Sequence, residues 1–301
     1  MIHKEWFHLS SDKKTMIYSQ SYTNDHPIAI VQIAHGMSER SERYKAFMMY
    51  LADKGYLVCA NDHLVHGKSS QYEQVIFANH EGGFDYMIED IHLLFKEVKL
   101  EYPTLPIILI GQSMGSIMSA LYADRYDDLS KLILMGTPSY NFFVKVMKKG
   151  LKRSVRKHGY TRTSKLWNKL IFGNIPEDIE GKVKHYGWLT RDENVVRTFV
   201  EDKLSGHLFT DAANLEVMSG LVKWGNTKWG NNIPNIPVLF IAGTKDKIAG
   251  YGKGANTYYQ HLKKTHPQCS LKLIKDNRHE VLNELNKDET YQVLLDWLNA
   301  R

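Results

Sequence analysis

Residues 107–116 read IILIGQSMGS: an unbroken aliphatic run that delivers Ser113 between Gly111 and Gly115. The five residues Gly111 to Gly115 fit the pattern G-x-S-x-G. With Gly and Ser each near 7% of residues, a chain of 301 residues holds that pattern by chance about one time in ten. Context decides whether it carries chemistry. The pattern presents a serine hydroxyl only where a buried strand runs into the turn and a helix leaves it. Here the aliphatic run supplies the strand, and SMGSIMSALYADRY has the composition and spacing of the helix. In so sharp a turn a Cβ at position 111 or 115 would collide with a neighbouring strand or helix. The stretch therefore predicts Ser113 as a nucleophile mounted on a strand–helix elbow, with Gly111 and Gly115 making room for it.

Outward from the elbow the chain alternates. TMIYSQSY, IAIVQIAHG, YLVCANDH, KLILMGTP, PVLFIAGTKD and SLKLIKD read as strands. YKAFMMYLADKG, FDYMIEDIHLLFKEVKLEYP, GANTYYQHLKKT and ETYQVLLDWLNA read as helices, the second ended by Pro103. Alternation of this kind predicts an α/β fold: a mostly parallel central sheet with helices on both faces. It is interrupted between residues 138 and 230 by a segment of helical character. The expected organisation is thus a core formed by residues 1–137 and 231–301, with residues 138–230 as a helical cap over the carboxyl ends of the strands, where open α/β sheets bind ligands.

A serine hydroxyl is a poor nucleophile until a base takes its proton. On this scaffold the acid and base are expected after later strands, in the order acid then histidine. Asp246 follows PVLFIAG and His279 follows SLKLI; none of the other histidines among the 14 occupies such a position. Asp276 and Glu280 are rival acids by proximity in sequence, but loop neighbours rarely aim at the correct imidazole nitrogen, which favours Asp246. For the oxyanion, the backbone N–H of Met114 at the helix start is one expected donor. The loop IAHGMSERSERY offers the other at Met37, with His35 and Gly36 supporting the turn. The spacing Asp62-His63-Leu64-Val65-His66, with His35 nearby, mimics a metal site, yet no fourth ligand is evident and no metal or other cofactor is expected.

The net charge of +6 is unevenly placed. Between Thr137 and Asn232 stand 17 Lys and Arg against 9 Asp and Glu, so the remainder of the chain is slightly acidic. A nucleic-acid binder with a basic face on its main scaffold is therefore not expected. The two cysteines, Cys59 and Cys269, lie in strand-like stretches and read as buried thiols of a reducing compartment. MIHKEWFHLSSDKKT carries no apolar signal-like region, and no run approaches the length of a membrane span. A cytoplasmic protein is the expectation, peripheral to membranes if the cap meets them.

Four stretches together resemble the monoacylglycerol lipase and lysophospholipase group of the α/β-hydrolase fold. HGMSERSERY is similar to that group's H-G-x-x-E-x-x-x-R-Y loop, with Gly36, Glu39, Arg43 and Tyr44 in register. DHLVHGKS resembles its D-H-x-G-H-G-x-S turn, except that Val65 replaces the first glycine, which predicts an altered loop. GQSMGS resembles its elbow, and GTKD with NRHEVLNE its acid and base loops; WLTRDENVVRTFVEDKLSGHLFT is similar to its cap. The resemblance implies a serine ester hydrolase acting on lipid monoesters, with Ser113, His279 and Asp246 as its triad. A thioesterase, an aminopeptidase-like hydrolase or a non-catalytic ligand binder of the same fold are the alternatives. Oligomeric state is not readable.

The cap departs from a neutral-lipid expectation. From Tyr140 to Pro176 there are ten Lys or Arg and no acid. FFVKVMKKGLKRSVRK sets Val144, Met147, Leu151 and Val155 at helical spacing with cations between them. This is a solvated helix with its apolar face on the core, an interfacial helix meeting an anionic lipid surface, or a helix that meets an anionic partner protein.

Overall fold

The strands that the alternation predicts assemble into one sheet because their residues are apolar on both faces. In the computed structural model, which describes residues 1–70, 83–225 and 229–300, β3 (Ile30–Ala34), β4 (Leu57–Asn61), β5 (Ile107–Gln112) and β7 (Val238–Gly243) are buried at every position. Such strands belong in the middle of a parallel sheet covered on both sides. With β1 (Ile2–Leu9), β2 (Met16–Thr23), β6 (Leu129–Met135) and β8 (Cys269–Ile274) they form an eight-stranded sheet in the order β1-β2-β4-β3-β5-β6-β7-β8. The pairs β1–β2 and β2–β4 are antiparallel and the other five are parallel. β1 is a strand that the sequence reading did not anticipate. It pairs from Ile2 opposite Thr23 to Leu9 opposite Met16, on the open edge of the sheet.

Period-two alternation splits the apolar residues between two cores. Ile30 and Ala34 of β3, with Ile107 and Leu109 of β5, face one; Val31 and Ile33, with Ile108 and Ile110, face the other. The first core is covered by α2 (Gly83–Glu101), α3 (Met114–Ala123) and α9 (Lys253–Leu262), the second by α1 (Lys45–Asp53) and α10 (Lys287–Asn299).

Among the described residues, five helices lie between β6 and β7: α4 (Phe142–His158), α5 (Lys165–Phe172), α6 (Ile179–Tyr186), α7 (Glu193–Glu201) and α8 (Asp211–Trp224). Each starts where a short polar side chain precedes it. Asn141, Ser164, Asp178, Asp192 and Thr210 accept hydrogen bonds from N–H groups of the first turns, satisfying donors that the helix itself cannot. This segment falls within the expected span 138–230, of which residues 226–228 lie outside the described residues. α4 buries Val144, Leu151 and Val155 at the predicted spacing. Its polar face is tied down by Asp211, fully buried, which accepts from Ser154 Oγ (2.6 Å) and from Ser164 N (3.0 Å). α6 and α7 close around a small cluster of their own that includes Val183, Tyr186 and Phe199. The loops after β3, β5, β7 and β8 all emerge at one edge of the sheet, beneath these helices.

Candidate active site

β5 ends in the predicted elbow. Ser113 holds φ 54° and ψ −116°, a sparsely populated positive-φ conformation that costs a side-chain-bearing residue about 1–3 kcal/mol. The surroundings hold it there: Ser113 N donates to Met135 O on β6 (2.9 Å), and Ser116 Oγ donates to Ser113 O (2.6 Å). A Cβ built on Gly111 would fall on the Gly115 carbonyl, and one built on Gly115 on the Ala34 carbonyl of β3. Helix, elbow and neighbouring strand therefore approach each other only because both positions lack a side chain.

The loops after β7 and β8 bring an acid to a base. Asp246, fully buried, has Oδ2 at 3.0 Å from His279 Nδ1. Its Oδ1 accepts from Ile248 N (2.8 Å) and Ala249 N (3.1 Å), so the carboxylate cannot rotate away. Of the rival acids, Asp276 is exposed and Glu280 is bound to Arg43, so only Asp246 engages the imidazole. Burial alone would lower the His279 pKa. The Asp246 carboxylate, through its charge and its hydrogen bond, outweighs burial and raises it above the ordinary 6.5, helped by Glu280 and Glu39. Two further contacts steady the residue, one at its backbone and one at its ring. Gln112 Nε2 donates to the His279 carbonyl (3.0 Å), and Trp188, following α6, has its indole centroid 5.3 Å from the imidazole.

The loop after β3 is shaped by Glu39. Its Oε1 accepts from Gly36 N (2.6 Å) and from Tyr44 OH (2.8 Å), and its Oε2 from Arg43 Nη1 (2.9 Å). A Cβ on Gly36 would press against Glu39 Oε1 and lie 3.3 Å from Ser113 Cβ, so the loop passes this close to the nucleophile only without a side chain there. Met37 and Met114 line the same cavity as Ser113 and His279. Among the described residues, neither the Met37 nor the Met114 N–H donates to another protein group.

Behind this loop His35, His63 and His66 come together, with centroids 4.0 Å (His35–His63) and 5.1 Å (His35–His66) apart. His207, from the segment before α8, meets His66 edge-on, with ring centroids 5.8 Å apart. Desolvation pushes all four pKa values down, that of His207 to about 4, so they sit as neutral rings. Both nitrogens of His35 are engaged, Nδ1 with Gly36 O (2.7 Å) and Nε2 by accepting from His63 N (3.0 Å). Among the described residues no group of three or more His, Cys, Asp or Glu is disposed to hold a metal. Val65 holds φ 61°, taking up the left-handed conformation that a glycine there would adopt without strain.

The cavity in front of Ser113 measures about 660 Å³. Its walls combine Ile117 of α3, Ile171 and Phe172 of α5, Phe199 of α7 and Leu221 of α8, so core and inserted helices build it jointly. Sequence reasoning missed two contributors. Trp188 is one; the other is a cationic rim of Lys184, Lys245, Lys247 and Arg278. The position of the lysines on either side of Asp246 was the available signal.

A serine at the elbow after a central strand, faced by an Asp–His pair from later loops, places the protein among the serine hydrolases of the α/β-hydrolase fold. Within them, the chain belongs to the family described as Serine aminopeptidase, S33 (Hydrolase_4), whose profile matches residues 25–286. It is 26% identical over 285 residues to a monoglyceride lipase homolog of Monkeypox virus, covering 93% of this chain and 91% of that one. An uncharacterized abhydrolase domain-containing protein of Dictyostelium discoideum is 25% identical over 299 residues; the match takes in 97% of this chain but only 28% of that protein's length. Among solved structures, a highly thermostable carboxyl esterase from Bacillus coagulans superimposes with a TM-score of 0.88 at 26% identity, over 99% of this chain and 98% of that one. No helix among the described residues is long and apolar enough to cross a membrane.

Proposed function

We propose that the protein hydrolyses carboxylic esters of lipids, monoesters such as monoacylglycerols or lysophospholipids, through an acyl-enzyme on Ser113. The observation that carries this reading is the Asp246–His279 pair, 3.0 Å apart, at the same cavity as Ser113. His279 takes the Ser113 proton as Oγ bonds to the ester carbon. The oxyanion that forms is met by the N–H groups of Met37 and Met114, each such donor being worth about 2.7–4 kcal/mol of barrier. The acyl C–O bond then breaks as His279 returns the proton to the departing alcohol. Water, deprotonated by His279, releases the fatty acid. Asp246 orients the ring and stabilises the imidazolium without taking its proton.

The apolar cavity walls suit an acyl chain, and the resemblance to a monoglyceride lipase homolog and a carboxyl esterase supports an ester as the bond cut. The family's description speaks of aminopeptidases, but a substrate amino terminus needs a free carboxylate to meet it. Glu39 and Glu280, the acids that line the cavity, are both held by Arg43, and the remaining charges on its wall are cations.

Residues 138–230 act as the cap. Phe142 and Phe143 at the start of α4 are 73% and 72% exposed, and Val146, Leu166 and Leu170 are also exposed beside the lysines of α4 and α5. Ile171 and Phe172, on the same short helix as Leu166 and Leu170, reach the cavity. This arrangement supports transient docking of the cap on an anionic lipid surface, with acyl chains passing along α5. The buried free thiols Cys59 and Cys269 suit a cytoplasmic location.

Labelling with a fluorophosphonate probe tests the chemistry. The intact protein labels and Ser113→Ala does not; labelling that persists in Ser113→Ala removes the acyl-enzyme. A series of p-nitrophenyl esters tests the lipid assignment, since a flat preference for acetate contradicts it.

A further inference from the structure

A second, shallower pocket of about 410 Å³ opens beside the catalytic cavity, formed by Arg191, Lys245, Lys247, Tyr251, Asp276 and Arg278. Lys245, Lys247 and Arg278 line both, so the two are continuous. The floor is made by the loops that carry the acid and the base. Lys245 N donates to Asn277 O (2.9 Å), Asp276 N to Thr244 Oγ1 (2.8 Å), and Tyr251 N to Asp246 O (2.6 Å). Tyr251 and Asp276 hold φ 59° and 60°, left-handed conformations that persist only where the surroundings impose them. The backbone of the loops that carry these cations is thus fixed relative to His279.

Their charges are differently committed. Arg191 is spent: its Nε donates to the fully buried Glu284 (2.9 Å), and its Nη2 to Asn277 (3.2 Å) and Asn286 (2.6 Å). Arg278 is held by neutral groups, its Nη1 donating to the carbonyls of Gly187 and Thr190. That fixes the guanidinium without neutralising it. Among the described residues Lys245 and Lys247 form no ion pair, and the pocket's one carboxylate, Asp276, forms none either. Surface lysines are usually just solvated. Here two of them flank the triad acid, share a wall with the reacting centre and join a guanidinium immobilised on carbonyls. Such a concave cluster concentrates positive potential and favours an oxyanion with several acceptors.

We propose that this pocket binds a phosphate group carried by the alcohol portion of the ester, so that Lys245, Lys247 and Arg278 determine specificity for acyl esters of phosphorylated alcohols. The proposal rests on the ester-hydrolase reading and refines it. The phosphate is a handle only. The bond that breaks is the acyl C–O bond, His279 delivers the proton to the departing oxygen, and the alcohol leaves with its phosphate intact. Three uncommitted cations against one carboxylate suit a phosphate monoester better than a zwitterionic headgroup.

The test compares kcat/KM of the full chain on three esters of one acyl chain: 1-acyl-glycerol-3-phosphate, 1-acyl-glycerophosphocholine and monoacylglycerol. All are presented in the same neutral detergent micelle, so that surface charge does not differ. The phosphate monoester is expected to exceed monoacylglycerol by at least about tenfold, with the advantage shrinking as salt rises. In Lys245→Glu/Lys247→Glu that ratio falls by at least about tenfold, while Lys245→Arg/Lys247→Arg restores it. Inorganic phosphate competes with the phosphate monoester at millimolar concentration, and the charge-reversed variant loses this inhibition. A ratio at or below one in the intact protein, a ratio unchanged by charge reversal, or a preference for the phosphocholine ester overturns the phosphate pocket. Failure of the intact protein to cleave even a neutral p-nitrophenyl ester instead overturns the ester-hydrolase reading beneath it.

Discussion

The Arg43 guanidinium grips the Glu280 carboxylate through two parallel hydrogen bonds, Nη1 to Oε1 and Nη2 to Oε2, each 2.7 Å long. Glu280 adjoins His279, and Arg43 also holds Glu39, whose other oxygen binds the Gly36 N–H. One cation therefore ties the histidine loop to the loop after β3. All three side chains are nearly buried, and the two acids raise the Arg43 pKa against the burial that would lower it. Removing one partner of such a buried pair strands the others without compensation, at a cost of about 3–5 kcal/mol. Arg43→Ala should lose that much in chemical denaturation. Arg43→Lys, which keeps the charge but not the fork, should remain folded with a markedly lower kcat.

The raised pKa of His279 fixes the direction of the pH profile. A base at His279, as proposed, works when neutral, so kcat/KM should fall as pH drops through the His279 pKa, with the acid limb lying above 6.5. Asp246→Asn removes the charge that raises it, which should move the limb to lower pH. It should also cost on the order of 10⁴-fold in kcat, because the wrong tautomer then faces Ser113. An acid limb that stays in place in this variant would remove Asp246 from the role assigned to it.

How far the sequence could be read depended on how local each signal was. The elbow is legible because strand, glycines and helix adjoin, and Asp246 and His279 because each ends an apolar strand. Lengths of α2 and α10 follow from their periodicity to within a few residues. β1 escaped because an edge strand, exposed at most positions, buries too little to show an apolar pattern. The Arg43–Glu280 pair joins residues 237 apart, and nothing local in either stretch points to the other. The cationic pocket likewise exists only once the loops after β7 and β8 are zipped together.

Val65 gives a test of backbone strain. A β-branched residue at φ 61° is a true outlier, and the position is buried in the core. Val65→Ala and Val65→Gly lose comparable packing, but only glycine relieves the left-handed strain. Glycine should therefore be the more stable of the two by about 1 kcal/mol in denaturant titration, the reverse of their usual order. A more stable alanine variant would show that the turn does not hold this conformation in solution.

The proposed cap makes the remaining prediction. Lys145, Lys149 and Lys152 are exposed and spaced along one stripe of α4, behind the exposed Phe142 and Phe143. Each lysine near an anionic bilayer contributes about 1 kcal/mol, so replacing all three by Gln should weaken sedimentation with phosphatidylserine-rich vesicles on the order of 100-fold. Raised salt should mimic the substitution. Phe142→Ser/Phe143→Ser acts on the apolar part of the contact, and its loss of binding should persist at high salt. If the protein ignores anionic vesicles, or binds neutral ones equally well, the lysines of α4 are a solvated face and nothing more. Hydrolysis of esters dissolved as monomers should be indifferent to the three Gln substitutions, because these side chains are absent from the cavity wall.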